Sequence, residues 1–318
     1  MTDPTLFAVT ARPKRRSLDA FGETRIPHSS RAIPNAMGVL TGLSALVTGA
    51  GGGLGGAAAA CLARDGASVV LMGRTLATLE RARSAVSAEA EAGAVVTCVA
   101  GDATSAADVR RAVAEAATLG RYAICVSVVG GAANIAPLLA YDDDRFIDDT
   151  QRQIVPAFLA IKYSVPAMAA GGGGSIVCIS SDAGTMVWPN MAGYCAGKAG
   201  LEALVRVAAD ELGHLQVRVN AVRPGLVKTD SVNSKRIHAN EPLMERFRIE
   251  KPLGRTGTPE DIAPAIRYLA GPESSWMTGQ SFAVEGGNEL RKAPDMSDIA
   301  RERVGADVFD AAMNGRIL

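Results

Sequence analysis

From residue 44 onward, short apolar runs alternate with segments of helical spacing, and this alternation restricts the chain more than any other feature. Runs at Ala45–Thr48, Ser68–Met72, Val95–Ala100, Tyr122–Val129, Ile176–Ser180, Val217–Val222 and Gln280–Val284 read as strands. Leu54–Ala63, Thr75–Ala92, Ser105–Thr118, Asp143–Ala169, Ala192–Leu212 and Pro259–Ala270 read as helices, with Ser105 as a cap and Pro259 in a first turn. Strands that alternate with helices build parallel βαβ units. The prediction is an α/β fold: one doubly wound, seven-stranded parallel sheet with helices on both faces, in a single domain over residues 41–290. The stretch from Arg223 to Thr258 is too long for an ordinary connection, and such loops are usually functional.

Two segments stand outside this pattern. Residues 1–40 hold six basic and three acidic residues with no period, which predicts an extended arm. Residues 291–318 form a C-terminal extension in which Ser297–Met313 reads as one capped amphipathic helix appended to the domain. Over the whole chain 33 basic residues balance 33 acidic ones, and aromatics are 4%. That gives no pull toward nucleic acid and little material for base stacking. The uncharged stretches 32–63, Tyr122–Tyr141 and Tyr163–Ser181 are broken by glycine or proline, so no membrane span is expected. No apolar segment follows the N-terminal basic residues as in a secretory signal. Five scattered cysteines and three histidines offer neither a disulfide framework nor zinc-ligand spacing, so a cytoplasmic, metal-free protein is expected.

The first strand runs into Thr48-Gly49-Ala50-Gly51-Gly52-Gly53-Leu54-Gly55 and then a helix. Glycines there let the backbone approach a phosphate, and the helix offers unpaired N–H groups and its positive end. This context points to a dinucleotide. The second strand ends in Gly73-Arg74 without the carboxylate that holds an adenosine ribose. A guanidinium there pairs with a 2′-phosphate, so NADP(H) is favoured and NAD(H) stays open. Asp102, after the third strand, is placed to accept from an adenine amino group.

Tyr194 and Lys198 are four apart and share one helix face, and Ser181 follows the fifth strand. A tyrosine with its ordinary pKa of about 10 is a poor base at neutral pH. A neighbouring ammonium favours the phenolate, so a lowered Tyr194 pKa is expected once a cationic nicotinamide helps it.

Taken together, Thr48-Gly-x-x-x-Gly53-x-Gly55, Ile179-Ser-Ser181, Tyr194-x-x-x-Lys198, Asn220-Ala-Val-Arg-Pro224-Gly225 and Gly286-Gly287 resemble the short-chain dehydrogenase/reductase family. The resemblance spans about residues 41–290. It implies a Rossmann-type domain and hydride exchange between a nicotinamide C4 and a carbonyl or alcohol carbon. It implies Tyr194 as acid/base, Ser181 as partner of the substrate oxygen, and Lys198 as holder of the nicotinamide ribose. Gly49, Gly51, Gly53, Leu54, Gly55, Arg74, Asp102, Ala103, Val129, Gly130, Tyr194, Lys198, Pro224, Gly225, Val227 and Thr229 are the expected cofactor residues. A homo-oligomer, tetramer or dimer, through the two long helices is implied as well.

The chain departs from the family pattern twice. Ser127-Val128-Val129-Gly130 replaces the usual Asn-Asn-Ala-Gly, and Gln153 falls where the central helix usually carries a catalytic Asn. Pro156 lacks an N–H and is expected to bend that helix near Gln153. The substrate wall is expected from Ala132–Leu139, Thr185–Trp188 and residues 226–252, with Met186 and Trp188 beside Ser181 and Tyr194. Its residues favour a small apolar alcohol or ketone, while Lys228, Lys235, Arg236, Arg246 and Arg248 keep an acidic carrier open. The alternative function is a dinucleotide-binding sensor or scaffold of the same fold with little turnover.

Overall fold

The computed structural model describes residues 38–128, 130, 134–290 and 295–317. The N-terminal arm expected over residues 1–40 therefore lies outside the described residues apart from its last three. Val129 of the expected cofactor set and Ala132 of the expected substrate wall lie outside them too.

Seven strands form one sheet: β1 (Leu43–Thr48), β2 (Ser68–Gly73), β3 (Val96–Ala100), β4 (Arg121–Ser127), β5 (Gly174–Ile179), β6 (Val217–Pro224) and β7 (Ser281–Val284). The order is β3-β2-β1-β4-β5-β6-β7, and each pairing is parallel. β1 and β2 are almost wholly buried, which is why they read as continuous apolar runs. Helices α1 (Gly53–Arg64), α2 (Leu76–Glu89) and α8 (Pro259–Ala270) cover one face. Helices α3 (Ala106–Thr118), α4 (Asp143–Ala170) and α5 (Ala192–Leu212) cover the other. The chain reverses its direction of growth at β1, whose neighbours are β2 and β4. A crevice opens at the carboxyl ends of strands at such a point.

Local chemistry sets the boundaries. Ser105 caps α3 by accepting from Asp108 N at 3.3 Å. Thr258 and Asp261 form a reciprocal capping box at α8, and Arg255 clamps Asp261 at 2.6 and 2.8 Å. Helix α4 is long and apolar enough to cross a membrane, yet half of that stretch is buried inside the fold. It runs unbroken through Pro156 and Pro166.

Three sequence expectations change. β4 ends at Ser127, short of Val129. The stretch expected to be irregular between Arg223 and Thr258 contains α6 (Val232–His238) and α7 (Glu241–Glu250). Both carry side-chain caps: Ser231 accepts from Ser234 N at 3.2 Å and Asn240 from Leu243 N at 3.0 Å. The single appended C-terminal helix is two helices, α9 (Ser297–Val304) and α10 (Ala306–Met313), divided at Gly305 with φ 88°. Neither is an appendage, because Ile299, Ala300, Phe309, Ala311 and Ala312 are buried. Ile299, Ala300 and Phe309 pack into one cluster with Trp188, Leu243, Met244 and Phe247.

Gly55 couples β1 to α1. A Cβ at this position would press on the Gly49 carbonyl oxygen and lie 2.9 Å from the Gly49 carbonyl carbon and Ala50 Cα. All three are backbone atoms and have no rotamer into which to retreat. Gly55→Ala is expected to cost about 1–3 kcal/mol of stability, the usual range for overpacking. Urea denaturation would read this as a lower midpoint at unchanged slope, and an unshifted midpoint contradicts it.

Candidate active site

The crevice begins at the glycine loop. Gly49 and Gly53 adopt left-handed φ values of 66° and 55°, and α1 starts with no capping side chain and no acid in its first turn. First-turn N–H groups left without a side-chain cap are the standard material of a phosphate site. Gly49, Arg74, Asp102 and Ala103 line a cleft that continues to Val128 and Gly130. Gly51, Gly53 and Gly55 shape the loop without lining that cleft: Gly51 faces Thr78, Gly53 faces Thr229, and Gly55 faces the Gly49 backbone.

Arg74 is exposed, with its charge acting on Asp102. The Asp102 carboxylate accepts from Thr104 N and Oγ1, both at 2.8 Å. Those bonds hold its pKa below the usual carboxylate value. Arg152 also lines the cleft, paired with Asp148 at 2.7 Å. Sequence reasoning did not assign these two side chains to the site, although their i, i+4 spacing marks them as a helix pair.

Val128 and Gly130 also belong to a second cavity of about 420 Å³, which holds Ser181, Tyr194 and Lys198. The three expected catalytic side chains thus meet in one place, next to the cleft. Leu54, Pro224, Gly225, Val227 and Thr229 of the expected cofactor set line this cavity. Tyr194 and Lys198 project from the first turns of α5, with the Lys198 ammonium 5.7 Å from the Tyr194 ring centre. Lys198 is 3% exposed and donates to Ile179 O at 2.8 Å. Gln153 is 0% exposed and donates from Nε2 to Asp149 O at 3.3 Å.

Two glycines make room for Gln153. A Cβ on Gly197 would lie 2.7 Å from Gln153 Cγ, and a Cβ on Gly130 would lie 2.6 Å from its Oε1 and 3.1 Å from Lys198 Nζ. The longer side chain therefore converges with Lys198, despite its extra methylene. Asp149, one turn earlier, accepts from Tyr141 Oη at 2.6 Å and from Asn134 N at 3.0 Å, which ties the segment after β4 to α4.

Ser181 accepts from Ala183 N at 3.2 Å and donates to Asp182 Oδ1 at 3.1 Å. Ser181 also acts on the Tyr194 hydroxyl, favouring its ionised form. Asp182 is 2% exposed, takes a 2.8 Å bond from Asn288 Nδ2, and feels the Lys251 ammonium. Burial outweighs these partners and pushes its carboxyl up to about 6. Sequence reasoning missed Asp182, Asn288 and Lys251, because a carboxylate after a strand looks like any helix-starting residue.

The side chains alone do not make the phenol acidic. Burial pushes the Tyr194 hydroxyl up to about 12, against the opposing pull of Ser181. Burial likewise pushes Lys198 down to about 8. Desolvation penalises both charged forms. Met186 is a further correction. It does not line the cavity but packs behind Asp182, with its sulfur 3.8 Å from Asn288 Nδ2. Trp188 does line it, stacked on Phe247 at 5.8 Å. Leu138, Leu139 and Val187 of the expected wall are exposed, and Leu243 and Met244 are core. Met191, Leu226, Ile237, Met296 and Arg303 complete the lining, the last two from the C-terminal segment.

The Lys198 shift has a definite sign in stability. An ammonium whose folded pKa is depressed is protonated more readily in the unfolded chain, so it costs stability once it is charged. The stability of the wild type minus that of Lys198→Met is expected to be flat below about pH 8, where Lys198 is charged in both states. It should rise between about pH 8 and the ordinary lysine value near 10.5. Chemical denaturation across pH checks this, and a difference independent of pH refutes the buried charge.

A family model described as enoyl-(acyl carrier protein) reductase matches residues 49–289. The chain is 34% identical over 248 residues to 2-(S)-hydroxypropyl-CoM dehydrogenase 3 of Xanthobacter autotrophicus, covering 76% of this chain and 94% of that protein. It is 35% identical over 250 residues to galactitol 2-dehydrogenase (L-tagatose-forming) of Cereibacter sphaeroides, covering 78% and 95%. A solved short-chain type dehydrogenase/reductase of Mycobacterium ulcerans superposes with TM-score 0.80 at 33% identity, over 85% of this chain and 98% of that one. A 7α-hydroxysteroid dehydrogenase complexed with NADH superposes at 0.73 with 30% identity, over 80% and 97%. A gluconate 5-dehydrogenase of Beutenbergia cavernae, described as putative and NAD(P) dependent, with bound NADP, superposes at 0.72 with 30% identity, over 80% and 100%. The sheet order, the glycine loop and the meeting of Ser181, Tyr194 and Lys198 agree with these matches. The chain belongs to the short-chain dehydrogenase/reductase family, whose members use NAD(P) and act on CH–OH groups.

Proposed function

We propose that this chain interconverts a small carbonyl compound and its secondary alcohol, with Tyr194 as the group that moves the proton. The observation that carries this is the convergence of Ser181, Tyr194 and Lys198 in a cavity that shares Val128 and Gly130 with the cleft beside the glycine loop. The residues present fit a dinucleotide. The glycine loop leaves α1 uncapped, and Gly130 leaves space that a Cβ would fill against Gln153 and Lys198. The loop after β1 and α1 would hold the pyrophosphate, Arg74 and Asp102 the adenosine end, and Lys198 the nicotinamide ribose. When bound, the nicotinamide supplies the hydride to the carbonyl carbon or takes it back from the alcohol.

The rest is done by side chains. Tyr194, with its hydroxyl near pKa 12, is protonated at neutral pH and is in the form that donates to a carbonyl oxygen. Ser181, which lines the same cavity, holds the same oxygen. As Tyr194 loses its proton, the Lys198 ammonium stabilises the phenolate. Lys198 is pushed down to about 8, which still leaves it mostly charged at pH 7. Gln153, wedged between Gly130 and Gly197, positions Lys198. Alcohol oxidation runs the same proton path in reverse.

NADP(H) is the proposed preference, with NAD(H) as the second choice, because Arg74 stands where a carboxylate would recognise a ribose. A cytoplasmic setting is in keeping with five free thiols. Phe146, Ile147 and Phe158 on α4 and Val207 on α5 are exposed apolar residues that support a homo-oligomer, dimer or tetramer, through these helices.

Tyr194→Phe is expected to lower kcat on a ketone panel at least about a thousandfold, with dinucleotide affinity changed less than about threefold. Full activity in that variant refutes the assignment. A chain that binds dinucleotide tightly but turns over none of the panel's ketones or alcohols points instead to a sensor. Arg74→Ala should weaken NADP+ about tenfold or more, as loss of a charge-assisted bond predicts, and leave NAD+ within about threefold. Fluorescence titration of both dinucleotides reads this out, and an equal effect on both rejects 2′-phosphate recognition.

A further inference from the structure

A serine hydroxyl has one proton to give and two lone pairs with which to accept. Ser181 Oγ donates to Asp182 Oδ1 at 3.1 Å and accepts from Ala183 N at 3.2 Å. What remains for the cavity is one lone pair and no proton. In this state Ser181 can receive a hydrogen bond from an alcohol but has none to give a carbonyl oxygen. Its proton is released only when Asp182 ceases to be a carboxylate. Asp182 opens the short turn Asp182–Gly184 and lines the cavity next to Ser181. It is thus the group that decides what the serine offers.

The surroundings of Asp182 accommodate either protonation state. Asn288 Nδ2 donates to Oδ2 at 2.8 Å, as a carboxylate requires. Asn288 is fully buried, no described residue donates to its Oδ1, and its other contact is a long one of 3.8 Å to Met186 Sδ. Turned about its terminal bond, the same amide presents Oδ1 to Asp182 and accepts from a carboxylic acid. Charged and titratable groups face the turn from every side. Helix α5 brings Tyr194, Cys195, Lys198 and Glu202, and β6 brings Arg223, which Glu289 holds. Lys251 follows α7, and Glu285 and Glu289 follow β7. Lys251 is the cation that favours the Asp182 carboxylate, and Glu285 acts on the same ammonium. With its carboxyl at about 6, Asp182 populates both states close to neutral pH. Its charge also works against a phenolate on Tyr194. Both effects of the carboxylate therefore oppose carbonyl reduction, and both vanish when it takes a proton.

We propose that Asp182 is a positioning residue for the reaction: ionised, it holds the Ser181 proton away from the substrate, and protonated, it frees that proton for a carbonyl oxygen. The inference rests on the reading of Ser181 and Tyr194 as the groups that meet the reacting oxygen. Ketone reduction then needs two protonated groups, Tyr194 to transfer its proton and Asp182 to let Ser181 point inward. A bound alcohol makes the opposite demand, since its own hydroxyl donates to Ser181 while Asp182 is charged. Asn288 and Lys251 act on the reaction at one remove, through the charge of Asp182. The coupling is reciprocal. If the carboxylate orients the Ser181 hydroxyl, that hydroxyl stabilises the carboxylate, and its removal must raise the pH at which Asp182 ionises.

Infrared difference spectroscopy on the full chain, from about pH 4 to about pH 9, reads the protonated Asp182 carboxyl as the band missing from Asp182→Asn and Asp182→Ala. The wild-type midpoint is expected at about 6. Ser181→Ala, Asn288→Leu and Lys251→Met should each raise it by about one pH unit, because each removes a partner of the charged form. In ketone reduction by the wild type, kcat/KM should fall about fivefold or more as pH rises through the same midpoint. That step should follow the infrared midpoint upward in Lys251→Met and be absent from both Asp182 variants. An Asp182 that only supports the fold would lower activity without moving a pH profile. A midpoint unmoved by Ser181→Ala, a carboxyl that keeps one state over the whole range, or a kinetic step that survives in the Asp182 variants overturns the proposal. In Lys251→Met the two readouts must move together, which decides the matter even where neither Asp182 variant folds. The oxidoreductase reading fails separately: a chain whose carboxyl midpoint responds to Ser181→Ala but which reduces no ketone keeps the coupling and loses the reaction.

Discussion

The burial of the Lys198 ammonium is the constraint around which the rest of the site is arranged. A charge excluded from water is tolerated only with hydrogen-bond partners and favourable fields. Here the ammonium donates to the Ile179 carbonyl at the end of β5. That bond joins α5 to the sheet where Ser181 leaves it. Lys198 is therefore at once a fastening of the fold and a stored electrostatic cost, visible in its pKa of about 8. A phenolate forming on Tyr194 would relieve part of that cost, so the strain of the resting site and the stabilisation of the reacting one are the same interaction.

A second tension lies behind Ser181. Its hydroxyl donates to Asp182, a buried carboxyl pushed up to about 6. Asn288, after β7, donates to Asp182, and Lys251, after α7, acts on it through its charge. Ser181 is thereby tied to segments that line its cavity. Movement in the residues around α6 and α7 would be transmitted to the Ser181 hydroxyl through this carboxyl.

Much of the fold was legible because its determinants are local. β1 and β2 are buried on both faces, so apolar runs such as Ser68–Met72 gave them away. Ser105 and Pro259 mark helix starts by chemistry that acts within one turn. Tyr194 and Lys198 share a helix face by spacing alone. What was hidden depends on residues distant in sequence. Helices α6 and α7 are short, and their Ser231 and Asn240 caps look like loop residues until the turns they close are seen. Gly305 divides the C-terminal helix in a way the amphipathic pattern from Ser297 to Met313 does not show. Arg303 and Met296 join the pocket only through the packing of α9 against Trp188 and Phe247. The burial of Tyr194 was hidden for a related reason. Spacing shows that Lys198 is near but not how much water both groups have lost.

Gln153 shows how a departure from a family pattern is absorbed. A methylene added to a buried side chain in a packed core ordinarily forces strain. Here the neighbours are Gly197 on α5 and Gly130 after β4, and a Cβ on either would lie within 2.7 Å of this side chain. The two helices approach closely because glycine allows it, and the longer amide occupies the space so created. The substitution at 153 and the glycines at 130 and 197 therefore work as one unit, in which none can change alone. Gly197 also lies directly before Lys198, so a shift of Gln153 would be felt at the ammonium before it was felt anywhere else in the site.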